Sequence, residues 1–215
     1  MCSSDLHSEG AAYLGGTAYL VAEPGSGVES LGSATAKVVG TVSYQGLAVG
    51  LAGPGDVDGD GYDDLWIGAA GDGSTPGAAY LVAGPVSGTV PISGATATLT
   101  GETDGDGVGH EVAGAGDVDG DGLPDLLVSA RWDSTGASRG GAVYLVVGPP
   151  SGTSSLADAQ LHVVAQQEEE QAWRTSTAGD QDGDGLADLW VGACATNVVG
   201  WSSGTVYLVN TGQGY

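Results

Sequence analysis

Asp56-Val57-Asp58-Gly59-Asp60-Gly61-Tyr62-Asp63-Asp64 decides how this chain is read, because the same pattern returns twice. Asp117-Val118-Asp119-Gly120-Asp121-Gly122-Leu123-Pro124-Asp125 is the second copy, and Asp180-Gln181-Asp182-Gly183-Asp184-Gly185-Leu186-Ala187-Asp188 is the third. Each places carboxylates at loop positions 1, 3, 5 and 9 and glycine at positions 4 and 6. Carboxylates this crowded repel one another until a cation neutralises them. A hard cation such as calcium gathers six to eight oxygens at roughly 2.3–2.6 Å. Glycine lets the backbone turn sharply enough for positions 1, 3 and 5 to converge, and position 7 can add its carbonyl oxygen.

Helical calcium loops begin in the same way, so the far end of the loop discriminates. Those loops need an acid at position 12, usually a bidentate Glu, with a helix on each side. Position 12 here is Ile67, Val128 and Val191, each inside an apolar run that reads as a strand. The closing acid falls instead at position 9, as Asp64, Asp125 and Asp188.

A second ladder runs in step with the loops, which start 61 and 63 residues apart. Tyr19-Leu20-Val21, Tyr80-Leu81-Val82, Tyr144-Leu145-Val146 and Tyr207-Leu208-Val209 follow Gly-rich stretches at the same period. Within a repeat the reading is all strand. Small-residue runs precede each loop (49–52, 111–115, 174–178), and apolar runs follow it (65–69, 126–130, 189–193). After the Tyr strand comes a fourth run (34–40, 95–101, 159–165). Runs of this length bounded by Gly, Pro, Ser and Asp are strands. Continuous apolarity in the second strand suits a sheet covered on both faces. The predicted fold class is all-β, a partial β-propeller of four-stranded antiparallel blades, about three and a half of them, with a solenoid as runner-up.

The predicted organisation gives 7–43 to the end of a preceding blade. Blades follow at 44–103, 104–167 and 168–215, the last without a fourth strand. Met1-Cys2-Ser3-Ser4-Asp5-Leu6 reads as a translated sequencing-library adapter and is set aside. That leaves Cys194 alone, with no disulfide to infer and a buried, inert thiol expected.

Composition excludes some partners. Against 27 Asp and Glu the chain has four Lys and Arg, for a net charge of −23. Nucleic acid and anionic membrane surfaces are therefore not expected. No segment is long and apolar enough to insert in a membrane as a helix.

The Gly-Asp-x-Asp-Gly-Asp-Gly-x-x-Asp-Leu core and the Tyr strand after it resemble the FG-GAP repeat of integrin α-type propellers, over about 15–212. The family's Gly-Ala-Pro falls on Gly68-Ala69-Ala70, Ser129-Ala130-Arg131 and Gly192-Ala193-Cys194. Its Phe-Gly falls on Leu47-Ala48, Val108-Gly109 and Gln171-Ala172, in a chain with no Phe. The resemblance implies a ring of about seven blades, completed by the rest of the chain or a second copy. It also implies Ca2+ in the hairpin between strands 1 and 2, at about three sites. By position the ligands are Asp56, Asp58, Asp60 and Asp64 with the Tyr62 carbonyl; Asp117, Asp119, Asp121 and Asp125 with that of Leu123; and Asp180, Asp182, Asp184 and Asp188 with that of Leu186. Asp63 is read as a solvated neighbour.

Catalysis finds little support. His7, His110 and His162 make no nucleophile–base spacing, and no Gly-x-Ser-x-Gly elbow leads into a helix. Asp104-Gly105-Asp106-Gly107 and Glu168-Glu169-Glu170 are read as solvated connectors. Trp66 and Trp190 are read as packing between blades, and the repeated Tyr as core with its hydroxyl on a backbone group. The glycines Gly68, Gly84, Gly148 and Gly192 are read as close blade approaches or tight turns.

The face opposite the calcium hairpins is expected to display Tyr44, Asp72, His110, Arg131, Trp132, Arg139, Trp173 and Trp201, where a protein or glycan ligand would bind. The expected function is a calcium-stabilised, non-enzymatic extracellular or cell-surface interaction module. The alternatives are an accessory propeller of a larger secreted, hydrolase-like enzyme and a carbohydrate-binding module.

Overall fold

Short runs of Val, Leu, Ala and Tyr between Gly- and Asp-rich turns form fifteen strands among the described residues of the computed structural model, which are 15–21, 30–43, 45–168, 170–195 and 203–212. The first sheet contains β1 (Thr17–Leu20) and β2 (Ala36–Val39). The second is built from β3 (Leu47–Gly55), β4 (Asp64–Ala69), β5 (Ala78–Val82) and β7 (Ala97–Thr100), after the intervening β6 (Gly88–Pro91). The third has β8 (Val108–Gly116), β9 (Asp125–Ala130), β10 (Ala142–Val146) and β12 (Leu161–Val164), with β11 (Gly152–Ser155) between the last two in sequence. The fourth holds β13 (Ala172–Gly179), β14 (Asp188–Ala193) and β15 (Thr205–Val209).

Consecutive strands within each blade pair antiparallel, and the acidic nonapeptides close the β3–β4, β8–β9 and β13–β14 hairpins. Two features depart from the all-strand, all-antiparallel expectation. Three-residue 3-10 turns, as at Ile92–Gly94, precede each fourth strand. In addition, β6 and β11 leave their own blades and pair in parallel with β2 and β7 of the blade before. These straps cover the outer edges of the preceding blades, where unpaired N–H and C=O groups would otherwise face solvent.

The apolar cores lie between blades. Leu47, Ile67 and Val82 pack with Ala18 and Val38 of the first sheet. Trp66, Leu81 and Leu99 meet Val112, Leu126 and Val128 of the third, and Leu127, Val143 and Leu145 meet Leu189 and Val191 of the fourth. All six residues of β9, which lies between two neighbours, are buried. Sheets stacked in this way are the blades of a partial β-propeller. Trp66 is fully buried and its Nε1–H donates to the Leu127 carbonyl across the interface at 3.1 Å. Its counterpart Trp190 is 37% exposed on the outer face of the last described sheet, where no described blade covers it.

Blade spacing is set by backbone contact. A Cβ on Gly68 would be driven into the Gly109 carbonyl, and one on Gly109 into the Ala78 carbonyl. The other glycines of that series act within their own blades. A Cβ on Gly84 would meet the Asp63 carbonyl at 2.5 Å, one on Gly192 would meet Arg174 Cβ at 3.1 Å, and Gly148 turns at φ +69°.

The third repeat slips by one residue against the sequence reading. Leu47 and Val108 pair with Ala69 and Ala130, and Ala172 takes that place opposite Ala193. The Phe-Gly positions of the third repeat are therefore Ala172-Trp173 rather than Gln171-Ala172. With β13 one residue shorter than β3 and β8, the loop-based count misplaces them.

Gly109→Ala and Gly88→Ala separate crowding from backbone strain. Both glycines have positive φ, but nothing lies within 4 Å of a Cβ on Gly88. Urea unfolding is expected to show a loss of about 1 kcal/mol for Gly88→Ala, and roughly 2–4 kcal/mol for Gly109→Ala.

Candidate metal loops and the opposite face

The nonapeptide builds the same cradle three times. In the first loop Asp56 accepts from the amides of Gly59 (2.8 Å), Asp60 (3.0 Å) and Gly61 (2.8 Å), which wraps the chain around its carboxylate. Asp58 and Asp60 each accept from the amide two residues on, at 3.2 and 2.9 Å. Asp117 and Asp180 repeat the wrap through Gly120 and Gly122 and through Gly183 and Gly185.

The position-9 aspartate sits differently, buried beneath the loop. Asp64 accepts from the Val57 amide at 2.8 Å and the Gly84 amide at 2.9 Å. Asp125 does the same with Val118 and Gly148, both at 2.8 Å. Asp188 takes Gln181 at 2.8 Å and Thr211 at 3.1 Å. One carboxylate thus ties the start of the loop to the segment leaving the third strand. For Asp125, burial outweighs these two amides and, with Asp119 and Asp121 nearby, holds its carboxyl above the usual range. A bound cation would offset that cost.

Carboxylate oxygens of positions 1, 3 and 9 come within 4.8 Å of one another in every copy: Asp56, Asp58 and Asp64; Asp117, Asp119 and Asp125; Asp180, Asp182 and Asp188. These trios could hold a metal ion. Asp60, Asp121 and Asp184 stand outside them, exposed, each accepting through one oxygen from the amide of Tyr62, Leu123 or Leu186. In the third loop Asn210 also donates to Asp182, at 3.1 Å. Asp63 is exposed.

At the other end of the blades, loop residues far apart in sequence meet. Arg131 follows β9, and its Nη1 lies 3.1 Å from His110 Nε2 on β8. The Arg131 guanidinium lies 5.3 Å from the Trp132 ring and 4.9 Å from that of Trp173, and His110 meets Trp173 edge to face at 4.6 Å. Arg174, which the sequence reading missed, stacks on Trp173 at 4.1 Å and pairs with Glu111 at 3.1 Å. Its place beside Trp173 on a strand facing β8 becomes visible only once the blades are stacked.

Asp72, Trp132 and Arg139 line a neighbouring open cleft of about 850 Å3 with Asp104 and Asp106. Tyr44 and Trp201 lie outside the described residues, as do His7, Glu169 and the first six positions.

Several side chains depart from the sequence reading. Asp106 is buried, and burial followed by the nearby Asp133 raises its pKa. Glu170 is buried as well: it accepts from the amides of Gln166 and Gln167 and from the Tyr207 hydroxyl. The Tyr hydroxyls find side chains rather than backbone. Tyr80 accepts from Gln45 at 2.8 Å, and Tyr144 donates to buried Asp133 at 3.0 Å. Tyr207 is itself 41% exposed. Cys194 is exposed, because β14 ends at Ala193 and the thiol emerges in the turn beyond it.

Residues 108–146, which run from β8 through β10 and include the second trio, match the FG-GAP repeat. The chain carries an FG-GAP repeat over this stretch. The FG-GAP chain is 36% identical to integrin alpha pat-2 of Caenorhabditis briggsae over 104 residues, which is 47% of this chain and 8% of that protein. It is 33% identical to integrin alpha-IIb of Mus musculus over 116 residues, 54% of this chain and 11% of that one. It therefore aligns with about a tenth of the length of these relatives.

In the FG-GAP hairpin the position-9 aspartate should matter even without metal. In chelator, Asp125→Ala strands one buried and one half-buried amide and should cost about 1–3 kcal/mol for each, whereas Asp121→Ala removes one exposed acceptor and should cost under about 1 kcal/mol. Equal losses in denaturant melts would contradict the clamp.

Proposed function

We propose that this FG-GAP chain is a calcium-stabilised, non-enzymatic interaction module of a secreted or cell-surface protein. The observation that carries the reading is the separation of two chemistries between the two ends of the stacked blades. Carboxylate trios close the hairpins at one end, and a cluster of Arg, His and Trp occupies the other. The similarity to two integrin α chains supports an adhesive role outside the cell, where millimolar calcium suits extracellular modules.

Each ion would be held by the trio together with the position-5 carboxylate, which gives one oxygen to the loop amide, and by the position-7 carbonyl. The first site takes Asp56, Asp58, Asp60, Tyr62 and Asp64. The second takes Asp117, Asp119, Asp121, Leu123 and Asp125, and the third Asp180, Asp182, Asp184, Leu186 and Asp188. The ion is structural: it neutralises a repelling cluster and fixes the hairpin joining the first two strands of a blade. A protein ligand would bind the opposite face.

Calcium in excess should raise the melting temperature and chelator should lower it. Saturation to a hundred times the dissociation constant contributes about 2.7 kcal/mol per site. Asp58→Asn, Asp119→Asn and Asp182→Asn should each remove about one site's share of the response. Superimposable melting curves with calcium and with chelator would overturn the reading.

A further inference from the structure

We propose that Arg131, His110 and Trp173 form a receptor for a single carboxylate, presented by an aspartate or glutamate side chain of a protein partner. The proposal rests on the reading of this end of the blades as the interaction face.

Donors on these three side chains are unmatched among the described residues. Arg131 has only N–H donors, so the contact at 3.1 Å requires His110 Nε2 to accept. The imidazole is then neutral, with its proton on Nδ1. That agrees with a pKa lowered first by burial and then by Arg131 and Arg174. His110 Nδ1, Arg131 Nε and Trp173 Nε1 are all buried without a hydrogen-bond partner among the described residues, and in this tautomer all three are donors. Trp173 itself is 5% exposed. Each buried N–H without an acceptor forfeits the hydrogen bond it made to water, so three on side chains in mutual contact are an unusual concentration.

The missing acceptor is anionic. Arg174 has Glu111, but Arg131 has no carboxylate within 4.0 Å among the described residues. A planar guanidinium packed against two side chains with unpartnered N–H donors suits a carboxylate, which offers two oxygens with about four lone-pair directions. The surroundings set an upper limit on ligand charge. Trp132 separates Arg131 from a cleft lined by Asp72, Asp104 and Asp106, in a chain of net charge −23. Polyanions such as sulfated glycans or nucleic acids would meet that field, whereas one acidic side chain on a protein surface would not.

The test is a titration of the calcium-loaded, 15N-labelled chain with N-acetyl-aspartate amide, and in parallel with N-acetyl-asparagine amide and with glucuronate. Saturable shifts of the Trp173 Nε1–H and Arg131 Nε–H resonances by the aspartate compound alone are expected. Arg131→Gln should weaken that binding at least tenfold, and Lys37→Gln, which removes the same charge on β2, should leave it unchanged. An equal response to the asparagine compound, no saturable response, or full retention in Arg131→Gln would each overturn the proposal. Should Arg131→Gln fail to fold, the comparison of aspartate with asparagine on the unmodified chain still decides. Stronger binding of glucuronate would overturn the assignment to a protein side chain.

Melting the same samples with calcium and with chelator separates the two readings. A calcium response without carboxylate binding defeats only this inference. Carboxylate binding without a calcium response defeats only the calcium reading.

Discussion

The buried carboxylate at the end of each acidic loop is the constraint on which the blade depends. Asp64, Asp125 and Asp188 each accept two amides from different parts of the chain, one at the loop's second residue and one just past the third strand. In the first two loops this clamp adds to the ladder bonds between the hairpin and the third strand, and in the third loop Asn210 and Thr211 reinforce it by donating to Asp182 and to the Ala187 carbonyl. With it, the position-1 and position-3 carboxylates are held against a third negative charge that cannot move away. Three carboxylates are thereby held close enough together that they could hold a metal ion, whose charge would offset their mutual repulsion.

Stacking of blades rests on a different device. Adjacent sheets approach until backbone meets backbone at Gly68 and Gly109, and apolar side chains fill the remaining space from both sides. Straps β6 and β11 then lie along the outer edge of the preceding blade, so consecutive blades share hydrogen bonds as well as cores. The inner, outer and face-to-face contacts are thus each closed by a separate interaction.

The same topology separates the two ends chemically. Hairpins between first and second strands gather aspartate because their sequence is the nonapeptide itself. The opposite connectors draw residues from two repeats at once, so His110, Arg131 and Trp132 from one blade meet Trp173 and Arg174 from the next. Acid at one end and cation–π stacking at the other follow from this division.

Much of this was legible in the chain. Three copies of an acidic nonapeptide in step with a Tyr ladder determined an all-β repeat with the loops in hairpins, because local spacing alone fixes which carboxylates share a turn and which residues continue a strand. Sequence did not reveal that Glu170 and Asp106 are buried, that Cys194 is exposed, or that β13 is one residue short. Nor did it show straps crossing to the neighbouring blade. Those outcomes depend on which surfaces meet when blades stack. Burial and hydrogen-bond partners are then set by residues about sixty positions away, as for Arg174 with Glu111 and Trp66 with Leu127. Spacing within a repeat specifies a loop, but only the tertiary structure brings side chains from separate repeats within a few ångströms and decides what they touch.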